Sequence, residues 1–168
     1  MITKKNLIEK LDSFKKKYVV YEHEAFFTVQ DSLGKRDLIK GAHTKNLFLK
    51  NKKKEFFLFS CLEHTKVDLK KISKILSLGN ISFANEKYMV EYLGVKPGSV
   101  SPFGLLNDKE NVIKFFLDNN LKNFDKVNFH PLINTATINI GFADFVAFLV
   151  ENKKKVNIFD FDNYSLIG

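Results

Sequence analysis

The stretch NLFLKNKKKEFFLFSC, residues 46–61, decides the fold, because two apolar runs flank one polar turn. Asn46–Lys50 and Glu55–Cys61 have the length of strands and are rich in Leu and Phe. The four residues between them, 51–54, are one Asn and three Lys, which is typical of a hairpin turn with a solvated tip. The stretch therefore predicts two strands joined as a β-hairpin.

Outward from this hairpin, strand and helix patterns alternate along the chain. Helices are predicted where apolar residues recur at helical spacing, with Thr3 and Asp68 as N-caps. They cover 3–17, 69–76, 85–93 and the stretch after Gly141, and a short helix is expected within 28–35. Further strands are predicted at 18–21, 81–83, 112–117, 126–129, 135–140 and 156–159, the last of which closes the chain.

No repeat or linker divides these elements, so residues 1–168 are expected to form a single domain. Strands outnumber helices, and hairpins are mixed with helical crossovers. We therefore predict an α/β fold of the mixed α+β kind, in which helices pack on a mixed, curved β-sheet. The 18 Phe residues fit the core of such a domain better than a base-stacking platform.

The composition is that of a globular protein, with 45% apolar and 27% charged residues. No apolar run reaches the roughly 18 residues that a membrane span needs, and the first residues lead into an amphipathic pattern rather than a signal peptide. Cys61 is the single cysteine and cannot form an internal disulfide, which indicates a reducing compartment. We expect a cytoplasmic protein with no membrane partner.

The net charge of +8 permits an RNA partner without demonstrating one. Of the 27 basic residues only Arg36 is an arginine, whereas bidentate phosphate recognition favours Arg. Asn, Phe and Ile are plentiful as well, and an AT-rich coding sequence produces this excess without any selection for binding. The charge alone therefore leaves the nature of the partner open.

A first candidate segment is HTKNLFLK, residues 43–50, where a polar stretch enters a strand. Lys45 and Asn46 are expected at the mouth of the sheet. There Lys45 could supply a cation for a phosphate, and Asn46 could both donate and accept hydrogen bonds. The alternative is that Lys45 is one surface lysine among 26.

A second candidate is the glycine- and proline-rich loop GVKPGSVSPFG, residues 94–104. Such a loop can aim several backbone N–H groups at one point, which suits an oxyanion or the carbonyl of an ester. An ordinary connection rich in turn-forming residues fits the same pattern equally well.

A third candidate is FHPLINTAT, residues 129–137, in which Pro131 holds His130 at a strand end. Near neutral pH this His can donate, accept or titrate, although a lone His is more often structural. Thr135 and Thr137 are expected on one face of the strand that follows.

The usual catalytic machineries are absent from the sequence. Cys61 and His64 are three residues apart, and no Cys/His cluster has the spacing of a zinc site, so no metal and no cofactor are expected. There is no phosphate-binding loop of the Walker type and no Gly-x-Ser-x-Gly elbow. A Cys61 nucleophile is conceivable, but its apolar strand favours a buried, inert thiol.

Taken together and in order, the three segments resemble the editing domain of prolyl-tRNA synthetases and its free-standing, YbaK-like relatives. HTKNLF at 43–48 looks like that family's lysine strand, and GSVSP at 98–102 fits its Gly-x-x-x-Pro loop. HPLINTAT at 130–137 is similar to the His-Pro-Leu-x-Asn-Thr-Ala-Thr segment of the free-standing Ala-tRNA(Pro) deacylase branch. The resemblance runs from about residue 5 to residue 160.

The resemblance implies a trans-editing deacylase that hydrolyses alanine wrongly esterified to tRNA(Pro) and releases alanine and tRNA(Pro). Lys45 would bind the phosphate of the terminal adenosine, Asn46 would orient the substrate, and His130 would size the amino-acid pocket. The substrate's own ribose hydroxyl would assist the reaction. The remaining implied site residues are Gly98, Ser99, Val100, Ser101 and Pro102 at the ester carbonyl, and Asn134 and Thr135 among the substrate-binding residues.

Two other functions fit the same sequence. One keeps the fold and changes the substrate to a mischarged Cys- or Ser-tRNA. The other is a non-catalytic tRNA-binding module, although such a binder has no need of an ester-sized pocket. In each case a tRNA is the expected partner, and prolyl-tRNA synthetase is a second expected partner of the deacylase.

Overall fold

The computed structural model describes residues 1–25 and 38–167. Its centre is the predicted hairpin, formed by β2 (Ala42–Asn51) and β3 (Phe56–Leu62), which pair antiparallel from Thr44↔Leu62 to Lys50↔Phe56. The turn closes through a hydrogen bond of 3.1 Å from the Lys54 N–H to the Asn51 carbonyl. The prediction of a hairpin with a lysine tip is therefore confirmed.

The remaining strands are β1 (Tyr18–Glu22), β4 (Ile81–Phe83), β5 (Ile113–Asp118), β6 (Lys126–Phe129), β7 (Ala136–Gly141), β8 (Val156–Asp160) and β9 (Ser165–Ile167). Within the described residues, the hairpin belongs to a nine-stranded mixed sheet of order β1-β7-β6-β2-β3-β5-β8-β9, and β4 pairs with the C-terminal part of β2. The β2/β6, β3/β5 and β5/β8 pairs are parallel, and the other pairs are antiparallel.

Helices pack on both faces of this sheet, and their ends follow the predicted caps. Thr3 forms a capping box with Asn6, and the Asp68 side chain accepts the Lys71 N–H. The α-helices are α1 (Lys4–Ser13), α2 (Leu69–Leu76), α3 (Glu86–Tyr88, continued by a π-helical turn over Met89–Leu93) and α4 (Phe142–Glu151); 3₁₀ helices cover Pro102–Asn107 and Asn119–Asn123.

Aromatic side chains fill the core on both sides of the sheet. On one face, α1, α4 and the Pro102–Asn107 helix cover a cluster that includes Phe48 and Phe129. On the other face, Ile72 of α2 packs with Leu49 and residues of β3, β5 and β8. Twelve Phe side chains of the described residues are buried, which supports their prediction as core rather than as a stacking platform: Phe48, Phe56, Phe57, Phe59, Phe103, Phe115, Phe116, Phe129, Phe145, Phe148, Phe159 and Phe161.

The predicted mixed α/β fold is confirmed, and three details differ. β8 is not the last strand of the chain, because the three-residue strand β9 pairs with it. The side chains of β9 are all exposed, so its sequence has no alternation of buried and exposed positions that would predict a strand. Ile75 lies on the predicted apolar face of α2 but is 49% exposed. The helix that starts after Asn85 widens into a π-helical turn before Gly94. The helix expected within 28–35 lies outside the described residues.

Candidate active site

Lys45 and Asn46 lie in β2, opposite Cys61 and Ser60 of β3. Consecutive strand residues point to opposite faces of a sheet, so the two side chains diverge. The half-buried Lys45 ammonium donates a hydrogen bond to the carbonyl of Thr65, in the turn after β3. Asn46 accepts a hydrogen bond from the Ser60 hydroxyl through its side-chain oxygen. Among the residues that the structure describes, none accepts a hydrogen bond from its amide nitrogen, which can therefore donate to a ligand.

The start of β2 is fixed against β6 by a buried amide network. His43 is level with Asn128, and the Thr44 hydroxyl donates to the Asn128 carbonyl over 2.7 Å. The Asn128 side-chain amide donates to the Ala42 carbonyl over 3.1 Å and accepts from the Asn139 amide over 2.9 Å. Because such buried bonds are costly to break, the register of β2 on β6 is well determined.

His130 follows β6 directly and is half-buried. The last pair between β2 and β6 is His43↔Asn128, and His130 lies two residues beyond it in the chain, as Lys45 does in β2. Its Nδ1 donates to the Ala136 carbonyl over 2.9 Å, since a carbonyl can only accept. In the neutral ring, Nε2 therefore carries no hydrogen and acts as a hydrogen-bond acceptor.

His23, at the end of β1, is a neighbour of His130 that the sequence did not suggest. Their ring centroids are 6.1 Å apart. The His23 Nδ1 donates to the Glu24 carbonyl over 2.7 Å, so in the neutral ring Nε2 accepts from the Thr137 hydroxyl over 2.8 Å. The pairing of β1 with β7 brings the two rings together, and no local pattern in the sequence indicates that pairing.

Asn134 and Thr135 lie in the irregular segment between β6 and β7. Asn134 is half-buried and Thr135 is exposed. The Thr135 carbonyl accepts the backbone N–H of His23 over 2.9 Å. The segment thus lies beside both histidines, and the predicted side-chain roles of these two residues stay predictions.

The loop from Gly98 to Pro102 is partly buried and tightly shaped. Gly98 has a φ of +88°, which favours glycine, and Ser101 and Pro102 are buried. The Ser101 hydroxyl caps the following 3₁₀ helix by accepting the Phe103 N–H over 3.2 Å. Within the described part of the chain, the backbone N–H groups of Gly98, Val100 and Ser101 donate to no other residue.

Aromatic packing anchors this loop beside the end of β6. The Phe103 ring, next to Pro102, meets the Phe129 ring edge-on at 6.1 Å, and Phe129 immediately precedes His130. The structure therefore joins the loop to the His130 segment through their adjacent residues. Among the described residues, Lys45 makes no hydrogen bond to the loop.

Cys61 is paired with Lys45 across β2 and β3, but its thiol is not activated as a nucleophile. Burial raises its pKa to about 12, although the nearby Lys45 ammonium acts in the opposite direction. Desolvation likewise raises the pKa of the neighbouring Asp118 carboxyl. The described residues contain no group of three or more His, Cys, Asp and Glu side chains that could hold a metal ion. The site thus offers hydrogen-bond donors, one cation and two imidazoles.

The aminoacyl-tRNA editing domain family matches residues 23–148, which include all the candidate site residues. The chain belongs to this family, whose enzyme class is that of the aminoacyl-tRNA deacylases.

Among similar proteins, the bovine prolyl-tRNA synthetase associated domain-containing protein 1 is 38% identical over 148 residues, covering 85% of this chain and 86% of its own. The prolyl-tRNA editing protein ProX of Acetoanaerobium sticklandii is 34% identical over 146 residues, covering 86% and 88%.

Solved structures share the fold. A protein proposed to be a trans-editing enzyme for prolyl tRNA synthetase superposes with a TM-score of 0.68 at 18% identity, over 100% of this chain and 99% of that one. The hypothetical protein APE2540 gives a TM-score of 0.70 at 14% identity, over 89% and 95%. None of the helices within residues 1–25 and 38–167 has the length and apolar character to cross a membrane.

Proposed function

We propose that this chain hydrolyses mischarged Ala-tRNA(Pro) in trans and releases alanine and tRNA(Pro). The editing family supplies the reaction class. The similarity to ProX, a prolyl-tRNA editing protein, supports the choice of tRNA. The protein would then correct the errors of prolyl-tRNA synthetase, its expected partner. It would act in the cytoplasm.

The observation that carries the proposal is the junction of β2 and β6. The amide network around Asn128 holds the start of β2 on β6, and Lys45 and His130 each follow the paired residues His43 and Asn128 by two positions. In the proposal Lys45 binds the phosphate of the terminal adenosine and the Asn46 amide orients the sugar or the ester. His130 forms the wall against which the amino-acid side chain is measured, with Asn134 and Thr135 beside it.

The chemistry demands little of the protein, because an aminoacyl ester is already activated. Hydrolysis needs a placed water and a stabilised tetrahedral oxyanion. The N–H groups of Gly98, Val100 and Ser101 suit the ester carbonyl, since no other described residue accepts from them. Ser99 and Pro102 shape the loop that presents these groups. The ribose hydroxyl of the substrate would assist the attack, so that no metal and no protein nucleophile are required.

Selection against alanine follows from size. A synthetase pocket built for proline rejects a smaller side chain poorly, because each missing methylene is worth about 1–3 kcal/mol. A second site that is too small for proline reverses this preference. We therefore expect alanine to be removed and proline to be spared.

The test is a panel of tRNA(Pro) charged with labelled Ala, Cys, Ser or Pro. We expect release of alanine well above the spontaneous rate, with Pro-tRNA(Pro) spared. Lys45→Ala should lower kcat/KM by about 100-fold or more, because it removes a charge-assisted phosphate contact. Lys70→Ala, on the exposed face of α2, is the matched control and should keep full activity.

Circular dichroism and thermal unfolding establish that each variant is folded. Full activity of a folded Lys45→Ala would refute the phosphate role of Lys45. Preferred release of cysteine or serine would show that the substrate is mischarged Cys- or Ser-tRNA instead of Ala-tRNA(Pro). Binding of tRNA without any released amino acid would show that the chain is a non-catalytic tRNA-binding module.

A further inference from the structure

A cavity with lysines in its lining lies at the other end of the sheet from Lys45. It has a volume of about 260 Å³ and is lined by residues before and at the start of β5 and β8. Lys114 is level with Phe57 of β3, whereas Lys45 is level with Cys61. The two lysines are therefore separated by four residue steps, or about 13 Å along the strands.

The cavity contains a half-buried lysine with spare donor capacity. The Lys154 ammonium donates to the Asp108 carbonyl over 2.6 Å and to the Asn111 side-chain oxygen over 2.7 Å. Both acceptors are neutral, and burial lowers the Lys154 pKa, although the nearby Asp108 carboxylate acts in the opposite direction. An ammonium has three N–H donors, so one has no acceptor among the described residues. An anion in the cavity would supply the missing acceptor.

Charge is segregated along the strand axis. The register places the β2–β3 turn, the loop before β5 and the turn before β8 at one end of the sheet. Those three connections and the first residues of β5 carry eight lysines and three acidic residues: Lys52, Lys53, Lys54, Lys109, Lys114, Lys153, Lys154 and Lys155, with Glu55, Asp108 and Glu110. The opposite ends of β3, β5 and β8 carry four acidic residues and two lysines: Glu63, Asp118, Asp160 and Asp162, with Lys66 and Lys122. A lysine excess caused by nucleotide composition alone would be spread over both ends.

We propose that this lysine cavity, lined by Lys114 and 153–155, binds the phosphate backbone of an RNA strand whose 3′ end occupies the Lys45 site. The inference rests on the proposed function, because the substrate there is a polyanion that extends beyond the reacting ester. Lysine binds phosphate as a point charge, and several lysines around one cavity suit a backbone without regard to sequence. A free nucleotide is too short to contact both ends of the sheet.

The experiment measures binding of uncharged, fluorescently labelled tRNA(Pro) by anisotropy over a range of salt concentrations. The double variant Lys114→Gln/Lys155→Gln removes two exposed cavity lysines and leaves Lys154 in place. We expect its Kd to rise about tenfold and the slope of log Kd against log salt to fall by about two. The matched control, Lys70→Gln/Lys74→Gln, removes the same charge from the exposed face of α2 and should change the Kd by less than about twofold.

Two further measurements separate the sources of binding. Adenosine 5′-monophosphate, which is too short to contact both ends of the sheet, should bind both double variants and the wild type equally. Deacylation of full-length Ala-tRNA(Pro) by the cavity variant should show a raised KM with an unchanged kcat.

An equal loss of affinity in the two double variants would overturn the proposal, because the total charge of the protein, and not the position of the lysines, would then explain binding. Tight binding of poly-glutamate to the cavity, with tRNA unaffected by the cavity variant, would also overturn it in favour of an acidic protein. Binding of uncharged tRNA does not depend on catalysis. A cavity effect in a protein that hydrolyses no mischarged tRNA would therefore refute the proposed function and leave the RNA surface standing.

Discussion

At the scale of single residues, two effects compete at Cys61. The ammonium of Lys45, level with it on β2, favours the thiolate. Burial in the β3 core disfavours any charge and prevails, so the pKa rises to about 12. The same burial that makes the thiol a good core group makes it a poor nucleophile.

We expect Cys61 to resist iodoacetamide in the folded protein at pH 8 and to react once the chain is unfolded. A pKa of about 12 leaves only about one thiol in ten thousand ionised at that pH. Mass spectrometry of protein labelled with and without urea measures the difference, and Cys61→Ala should keep its deacylase activity. Comparable labelling rates in the two conditions would contradict the assignment.

The same shift predicts a pH dependence of stability. The folded pKa lies above the ordinary value of 9.0, so the neutral buried thiol stabilises the fold below pH 9. That contribution is lost as the pH rises from about 9 towards 12, where the unfolded chain ionises first. The wild type should therefore lose more of its unfolding free energy over this range than Cys61→Ala, as measured by urea titration.

At the scale of secondary-structure elements, the contact between β2 and β6 depends on Gly41. Its φ is +99°, and a Cβ at this position would lie 2.6 Å from the Lys126 carbonyl oxygen. Gly79 also has a positive φ, of +75°, but a Cβ there would meet nothing within 4 Å. The two glycines thus share a backbone constraint and differ in the space around them.

Gly41→Ala is expected to destabilise the protein by about 2 kcal/mol more than Gly79→Ala. Both substitutions incur the cost of a positive φ, about 1–2 kcal/mol, but only the first forces two backbones apart. Chemical denaturation of both variants measures the difference. Gly41→Ala should also lower deacylase activity, because it shifts Lys45 relative to His130; equal stability losses would show that the β2/β6 contact tolerates a methyl group.

The elements themselves were predictable from local patterns. Helical spacing and the caps Thr3 and Asp68 predict α1 and α2, and the paired apolar runs predict the hairpin. The relation of β2 to β6 was not predictable, because parallel pairing joins segments more than eighty residues apart. For the same reason the sequence suggested Lys45 and His130 separately, and it gave no sign of His23 beside His130.

At the scale of the whole molecule, one aromatic side chain connects the candidate site to the core. Phe129 stacks on Phe145 of α4 at 4.4 Å and meets Phe103 edge-on. It lies between the helix layer, the 98–102 loop and His130. Stability and the geometry of the site therefore depend on the same ring.

Phe129→Ala should cost about 3–5 kcal/mol of unfolding free energy, because it opens a cavity in a fully packed region. Phe83→Ala, at a position that is 60% exposed, is the control and should change stability by less than about 1 kcal/mol. Urea denaturation should give a lower midpoint for Phe129→Ala with an unchanged m-value. Similar midpoints for the two variants would mean that the core closes over the missing ring.

The hydrogen bond from Lys45 to the Thr65 carbonyl has a consequence for substrate capture. A lysine side chain free in solvent loses rotational freedom worth up to about 2 kcal/mol when it is immobilised. Here the chain's own carbonyl has already restrained that motion before any nucleotide arrives. If Lys45 binds the phosphate as proposed, docking exchanges one oxygen partner for another, and the entropic penalty of ordering the side chain is met during folding rather than at each turnover.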